Sequence, residues 1–163
     1  MKINCAYNEL RDTINLTPHP KNPNTHNPKQ IELLAKIIDY QGWRNPIVVS
    51  TLSGFIVSGH GRLMAAEMLG LDQVPIDLQE FQNEADELAH LVADNKVAEL
   101  SQIDRSSLAD IIGELDTGDF ELDLTGFSLP DVEELMTATV PEDPELETTS
   151  RSKCCPKCGY VLE

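Results

Sequence analysis

Five consecutive polar and glycine residues follow a β-prone run at residues 55–57 and precede an apolar helical pattern. They are Ser58, Gly59, His60, Gly61 and Arg62. A glycine turn at a helix N-terminus leaves backbone N–H groups free, and the helix dipole favours an anion there. Arg62 adds a planar donor fork for phosphate oxygens, and His60 suits phosphate binding, acid–base catalysis or metal coordination. The residues alone leave a ligand cradle and a purely structural turn equally open.

Cysteines near the C-terminus form a second group that suggests chemistry. Cys155 and Cys158 have the spacing of a zinc-knuckle half-site, and Cys154 is a candidate third ligand. Because a closed structural zinc site needs four ligands, we expect a second copy or a partner to complete it. The alternative is a tail that binds no metal. With Cys5 isolated, this clustering indicates metal chemistry in a reducing compartment rather than a disulfide framework.

Hydrophobic patterns predict the elements that position the glycine turn. Asn27 is a suitable N-cap and Pro28 a suitable first residue for a helix that ends at Gly42. Two β-prone runs predict a hairpin, and a third contains Pro75, which favours a sheet edge or a strand start. The predicted strands span 46–50, 55–57 and 74–78, and the predicted helices span 28–41, 62–69, 83–100, 104–115 and a short segment from Ser128. This order predicts an α+β fold with a helical C-terminal extension.

Charge is unevenly distributed along the chain. The net charge is −16, with seven Lys/Arg against four Asp/Glu in residues 1–62 and two against 23 in residues 63–150. An acidic surface repels nucleic acid, so we expect phosphate contacts from the N-terminal third or the extreme C-terminus. No apolar run approaches the roughly 20 residues of a membrane helix, and no signal peptide is recognisable. We therefore expect a cytoplasmic protein with no membrane partner.

Several motifs follow one another in an order that resembles one known domain. They are Asn22-Pro23-Asn24, the helix 28–41, Gly42 with Pro46-Ile47-Val48-Val49, Gly59-His60-Gly61-Arg62-Leu63, Leu69-Gly70 and Val74-Pro75. Over residues 10–100 the chain resembles the ParB N-terminal domain, of the ParB/sulfiredoxin fold. The resemblance implies a small mixed sheet with packed helices.

A narrower resemblance concerns residues 93–101 and the stretch that ends at Phe127. Both are similar to ParB-like proteins of phages and mobile elements, in which this region often precedes a DNA adenine or cytosine methyltransferase. No methyltransferase motif is present in the sequence, so the resemblance implies a detached front module. The predicted organisation is a ParB/sulfiredoxin-like domain over 1–100, a helical extension over 101–136, an acidic linker over 137–153 and a zinc-knuckle-like tail over 154–163.

The resemblance also implies nucleotide chemistry at the glycine turn. Partition ParB proteins bind and hydrolyse CTP at a motif that matches Gly59 to Arg62, and a related serine kinase holds nucleotide with a similar turn. CTP or ATP, with Mg²⁺, is therefore the expected ligand of residues 58–62. Sulfiredoxin chemistry is not expected, because His60 stands where sulfiredoxin has its cysteine.

Further site residues are nominated by the same resemblance. Relatives place an acidic and Asn-containing segment at the nucleotide site. It matches Asp94-Asn95-Lys96 here and nominates Asn95 and Lys96 as phosphate ligands; the alternative is an exposed helix face. They also place an acidic residue in the first helix, which nominates Glu32, in addition to His60, as a catalytic residue; the alternative is that Glu32 is a surface residue.

Two classes of function remain open. One is a nucleotide-dependent enzyme, acting as an NTPase, kinase or nuclease; many relatives carry the label of ParB-like nuclease. The other is a non-enzymatic accessory module, a homodimer or a monomer, that reaches DNA through a methyltransferase or another phage protein. Direct DNA binding is disfavoured by the acidic residues 63–150. That stretch shows no obvious recognition helix, so sequence-specific binding of the partition type is not expected.

Overall fold

The computed structural model describes residues 1–118 and 120–137. It contains five strands and five α-helices within those ranges. The strands are β1 (Glu9–Asp12), β2 (Thr17–Pro18), β3 (Ile47–Ser50), β4 (Phe55–Ser58) and β5 (Gln73–Gln79). The helices are α1 (Pro28–Gln41), α2 (His60–Met68), α3 (Glu84–Glu99), α4 (Arg105–Leu115) and α5 (Leu129–Thr137). The predicted α+β class is confirmed.

The five strands form one mixed sheet in the order β1-β5-β3-β4-β2. β3 and β4 form the predicted antiparallel hairpin, while β5 returns parallel to β3 after the α2 crossover. β-Branched residues Ile47, Ile56 and Ile76 are fully buried in neighbouring strands, as expected for residues that pack well on a pleated surface. The β4–α2 junction therefore follows directly from a strand that is buried in the core.

Pro75 lies near the start of an internal strand, so of the two expected positions the strand start is found and the sheet edge is not. β5 is flanked by β1 on one side and β3 on the other. The pairing with β3 begins at Ile76, one residue after Pro75. Proline is therefore tolerated because it precedes the part of the strand whose N–H groups the β3 ladder uses.

Helix α1 has the bounds that its capping residues predicted. The Asn27 side chain accepts a hydrogen bond from the Gln30 backbone N–H at 2.8 Å, and Pro28 occupies the first turn. Gly42 ends the helix with φ +76°, and an added Cβ there would lie 2.6 Å from the Lys2 carbonyl oxygen. Only glycine accommodates both the positive φ and the close approach.

The chain divides into two compact units. The first comprises Met1–Ile103 and Glu121–Gly126, and it contains the whole sheet with α1 to α3. The second comprises Asp104–Phe120 and the residues from Phe127 on. In it, Asp104 caps α4 by accepting from the Ser107 N–H at 3.0 Å, and an exposed Arg105–Glu134 ion pair of 3.1 Å joins α4 to α5.

The predicted zinc ligands Cys154, Cys155 and Cys158 lie outside the described residues, as does the predicted linker from residue 138 on. Within the ranges 1–118 and 120–137, no helix combines the length and apolar character needed to cross a membrane.

Candidate functional site

The glycine turn joins the end of β4 directly to the start of α2. Gly59 is the residue before the helix and has φ +97°, in the left-handed region that favours glycine. An added Cβ on Gly59 would lie 2.8 Å from Arg62 Nη2 and 2.9 Å from Arg62 Nε. The Arg62 guanidinium therefore folds back against the turn, and glycine is needed both for the backbone conformation and for this contact.

Arg62 presents a buried donor without an acceptor. Its Nε is shielded from solvent, and no described residue accepts a hydrogen bond from it. Burial lowers the pKa of Arg62, while the charges of Asp94 and Cys5 oppose that shift. An unmade hydrogen bond of a buried charged group is costly, and such an orphan in a folded protein calls for an explanation. An anionic ligand in the turn would supply the missing acceptor.

Helix α3 brings two polar residues to the turn. The Ser58 hydroxyl donates to Asp94 Oδ2 at 3.0 Å, which links the end of β4 to α3. The half-buried Asn95 donates from Nδ2 to the Leu91 carbonyl at 2.8 Å, so its amide has a fixed orientation. The two residues come from a helix that the sequence places more than 30 positions after the turn.

The polar loop before α1 forms another wall of the site. An added Cβ on Gly61 would lie 3.3 Å from His26 Cε1, so the His26 ring packs directly against the start of α2. His26 Nδ1 is also 3.1 Å from Gln30 Oε1, which orients the ring from α1. Sequence reasoning did not single out His26. The available signal was a histidine immediately before the Asn27 cap, in a loop that must pass beside α2 because α1 and α2 pack together.

These elements enclose a cleft of about 240 Å³, called the cleft below. The predicted residues that line it are Ser58, Gly59, His60, Gly61, Arg62 and Asn95. The lining residues that were not among the predicted site residues are Asn24, His26, Leu34, Val57 and Asp94. Asp94 belongs to the segment Asp94-Asn95-Lys96 that the resemblance assigns to the nucleotide site.

Two nominated residues do not line the cleft. Lys96 is exposed and forms an ion pair with Glu99 at 2.7 Å. Glu32 is exposed on α1, and Leu34 is the residue of that helix that reaches the cleft. The roles assigned to Lys96 and Glu32 remain predictions from the resemblance.

His60 is held as a neutral imidazole with a defined tautomer. Its Nε2 accepts a hydrogen bond from the His19 backbone N–H at 3.2 Å, which assigns the ring proton to Nδ1. Burial, and then the charges of His26 and His19, lowers the pKa of His60 to about 4. The ring is therefore a hydrogen-bond donor at neutral pH and carries no positive charge. Of the three roles left open above, this state suits ligand binding best.

The described residues contain no group of three or more His, Cys, Asp or Glu side chains placed to hold a metal ion by themselves. A cation at the cleft would therefore need ligand oxygens from a bound molecule, as Mg²⁺ on a nucleotide does.

Comparison with known proteins agrees with this geometry. The sequence profile described as the ParB N-terminal domain matches residues 9–103, more than half of the chain. The chain belongs to the ParB N-terminal domain family. The ParB-like nuclease domain-containing protein YnaK of Escherichia coli (strain K12) is 40% identical over 75 residues, which cover 46% of this chain and 82% of YnaK.

A second profile, the ParB-methyltransferase HTH domain, matches residues 106–153. The sequence pattern showed no obvious recognition helix in this stretch, whereas the matching profile describes a helix-turn-helix. The acidic composition concealed it, because Lys and Arg are the usual signs of a recognition helix and this stretch has few. In the structure the described part of the matched segment contains α4 and α5.

A solved ParB structure has the same fold. The C-terminally truncated chromosome-partitioning protein ParB from Caulobacter crescentus, complexed with CTP-γ-S, aligns with a TM-score of 0.62 at 23% identity. The alignment covers 78% of this chain and 76% of that chain. The similarity establishes a ParB-like fold.

Proposed function

We propose that the cleft binds a nucleoside triphosphate through its phosphate groups. The observation that carries the proposal is the buried Nε of Arg62 beneath the Gly59 turn, for which residues 1–118 and 120–137 provide no acceptor. Free N–H groups at the start of α2 add further donors for an anion. Membership of the ParB N-terminal domain family supports the proposal, because the Caulobacter relative was solved with a CTP analogue.

Each side chain of the cleft has a distinct part in this proposal. Arg62 donates to phosphate oxygens from its guanidinium, and His60 donates from Nδ1–H without adding charge. Asp94 would share a phosphate-bound Mg²⁺, because Mg²⁺ in nucleotide sites commonly combines one or two carboxylates with phosphate oxygens. The bond from Ser58 keeps the Asp94 carboxylate at the edge of the cleft.

CTP is the first nucleotide to test and ATP the second. The full chain is titrated with each nucleotide in the presence of Mg²⁺, and the heat of binding is measured by calorimetry. We expect saturable binding of one of the two nucleotides. Arg62→Ala should weaken binding about ten- to a hundredfold, since hydrogen bonds to charged groups contribute roughly 1.5–3 kcal/mol. Arg44→Ala is the matched control, because Arg44 is an exposed arginine of the same unit outside the cleft. Failure of wild type to bind either nucleotide would refute the proposal.

We propose a second, compatible function in DNA modification or processing. It is supported by the match of residues 106–153 to a methyltransferase-associated HTH domain. On this proposal the protein is of phage or mobile-element type and partners a DNA methyltransferase or another DNA-acting protein, as a monomer or a homodimer. Fluorescence polarisation with duplex DNA, with and without CTP, tests direct binding. Co-purification with a DNA methyltransferase tests the indirect route. A protein that neither binds duplex DNA nor co-purifies with a methyltransferase would refute this function.

Catalysis is a further proposal about the same cleft. NTPase activity is measured as phosphate release from CTP or ATP with Mg²⁺, and nuclease activity as nicking of supercoiled plasmid. The name of the Escherichia coli relative supports the nuclease test. His60→Gln and Glu32→Gln separate the two nominated catalytic residues. The geometry favours loss of activity in the first only, because His60 lines the cleft and Glu32 does not.

Zinc binding by Cys154, Cys155 and Cys158 is proposed from the sequence alone. Metal analysis of the purified full chain should give zinc in proportion to protein, and a Cys155→Ser, Cys158→Ser variant should give none. Equal zinc contents in the two proteins would refute it.

A further inference from the structure

Glu87 is a buried carboxylate that does not line the cleft. It is 1% exposed and lies in α3, at the far end of β4 from the glycine turn. It accepts hydrogen bonds from the Ser50 hydroxyl at 2.5 Å and the Ser53 hydroxyl at 2.7 Å. His19 Nε2 lies 3.2 Å from Glu87 Oε1. These four residues, Glu87, His19, Ser50 and Ser53, are called the Glu87 cluster below.

The His19 ring is held from three sides. Its Nδ1 accepts a hydrogen bond from the Lys21 backbone N–H at 3.1 Å, so the proton that faces Glu87 lies on Nε2. The ring also meets Phe55 edge-to-face, with the centroids 5.4 Å apart. With a buried side chain and these contacts, His19 has little freedom to move.

The backbone of His19 makes the connection to the cleft. Its N–H donates to His60 Nε2 at 3.2 Å, although the two residues are 41 positions apart in sequence. This bond occupies one ring nitrogen of His60 and leaves Nδ1–H as the donor available to a ligand. The position of one backbone N–H therefore decides which nitrogen of His60 can serve the cleft.

We propose that Glu87 and His19 are positioning residues, which hold the His19 N–H against His60 and thereby set its tautomer for ligand binding. The part of the proposal that concerns ligand binding rests on the proposed nucleotide function; the part that concerns the tautomer does not. Glu87 acts on the loop after β2, which contains His19, rather than on the ligand. Its three hydrogen-bonding partners come from the β3–β4 hairpin and the loop after β2, so α3, the hairpin and the loop are tied together at one carboxylate.

The tautomer of His60 is directly measurable by ¹⁵N NMR of the imidazole nitrogens in the full chain at pH 7. We expect a protonated-type signal for Nδ1 and a deprotonated-type signal for Nε2 in wild type. The signals are assigned by their disappearance in His60→Gln. A wild-type His60 that is charged, or that carries its proton on Nε2, would overturn the proposal.

Two variants test the positioning. His19→Phe keeps a ring of similar shape but removes the donor to Glu87 and the acceptor for Lys21. Glu87→Gln keeps the size of the side chain and serves as the milder change if His19→Phe does not fold. We expect both to move His60 towards a mixture of tautomers, and we expect CTP affinity to fall roughly three- to tenfold in His19→Phe, as for the loss of one hydrogen bond.

Lys21→Ala is the matched control. It lies in the same loop and removes only the exposed ion pair with Glu84, of 2.6 Å, while keeping the backbone N–H that His19 uses. It should change neither the tautomer nor the affinity. Unchanged ¹⁵N signals and unchanged CTP binding in both His19→Phe and Glu87→Gln would overturn the proposal. If wild type binds neither CTP nor ATP but the tautomer still changes in the variants, the proposed function fails and the positioning of His60 stands.

Discussion

Strand β4 has a polar group of residues at each end, and the two differ in how completely their hydrogen bonds are made. At the start of β4, the Glu87 cluster pairs one buried carboxylate with three donors. At its end, Arg62 keeps a buried Nε with no acceptor among the described residues. A satisfied polar group in a protein interior is part of the framework, whereas an unsatisfied donor beside an open cleft is available to a ligand.

Helix α3 spans both ends of the strand. Glu87 and Asp94 are seven residues apart, so they lie on one face of the helix about 10 Å from each other. That spacing matches the length of β4, whose four residues rise roughly 3.3 Å each. One helix can therefore anchor the framework with one carboxylate and supply the cleft with another.

The largest expected effect is a difference in the free energy of unfolding between a variant of the Glu87 cluster and a variant of Arg62. Glu87→Leu should lower the free energy of unfolding by about 3 kcal/mol, because three donors lose a buried acceptor. Arg62→Met should lower it by less than about 1 kcal/mol, since the buried Nε makes no hydrogen bond to any described residue. Urea unfolding followed by Trp43 fluorescence measures both, because Trp43 is the only tryptophan and is buried in the first unit. Equal losses of unfolding free energy in the two variants would contradict the distinction between the two ends of β4.

A smaller effect is expected at the turn itself. Gly59→Ala should destabilise the protein by about 1–2 kcal/mol through its positive φ alone, and the new Cβ must also displace the Arg62 guanidinium. We therefore expect Gly59→Ala to weaken CTP binding as well. Gly54→Ala is the control, because Gly54 has a similar φ of +78° but nothing within 4 Å of an added Cβ. A similar loss of CTP affinity in both variants would contradict this account.

The pH dependence of the free energy of unfolding tests the lowered pKa of His60, at the cleft end of β4. The folded state lowers the pKa of His60 from 6.5 to about 4, so in this interval the unfolded chain binds the extra proton. The contribution of neutral His60 to the free energy of unfolding is therefore fully present above pH 6.5 and is lost as the pH falls towards 4. Between pH 7 and pH 4.5, wild type should lose about 1 kcal/mol more than His60→Gln, allowing for solvent screening of a half-exposed ring. Parallel urea titrations that show equal losses would exclude the shift.

The smallest effect is expected at Lys96. Its exposed ion pair with Glu99 should contribute less than about 0.5 kcal/mol to stability. Because Lys96 does not line the cleft, Lys96→Ala should change CTP affinity less than about twofold, against a clear loss for Asn95→Ala. A large loss of affinity in Lys96→Ala, measured by calorimetry, would restore the role that the resemblance assigned to it.

Much of the scaffold was predictable from short-range signals. Asn27, Pro28 and Gly42 act within one turn of the helix ends that they define, so the predicted range of α1 matches the structure. The position of Pro75 was not predictable in this way. Whether a strand is internal depends on which distant segments pair with it, and the short β1 that covers β5 has no strong pattern of its own.

The sequence by itself determined the order of elements, the glycine turn that begins α2 and the family to which that turn belongs. These follow from neighbouring residues, whose conformational preferences act over a few positions. Only the tertiary structure decided that Asp94 and His26 share the cleft and that Glu87 is joined to His60 through His19. It also decided that Arg62 Nε is buried with no partner in the part of the chain that the structure describes. Burial and hydrogen-bond satisfaction depend on contacts between segments tens of residues apart, and such contacts leave no periodic trace in the sequence.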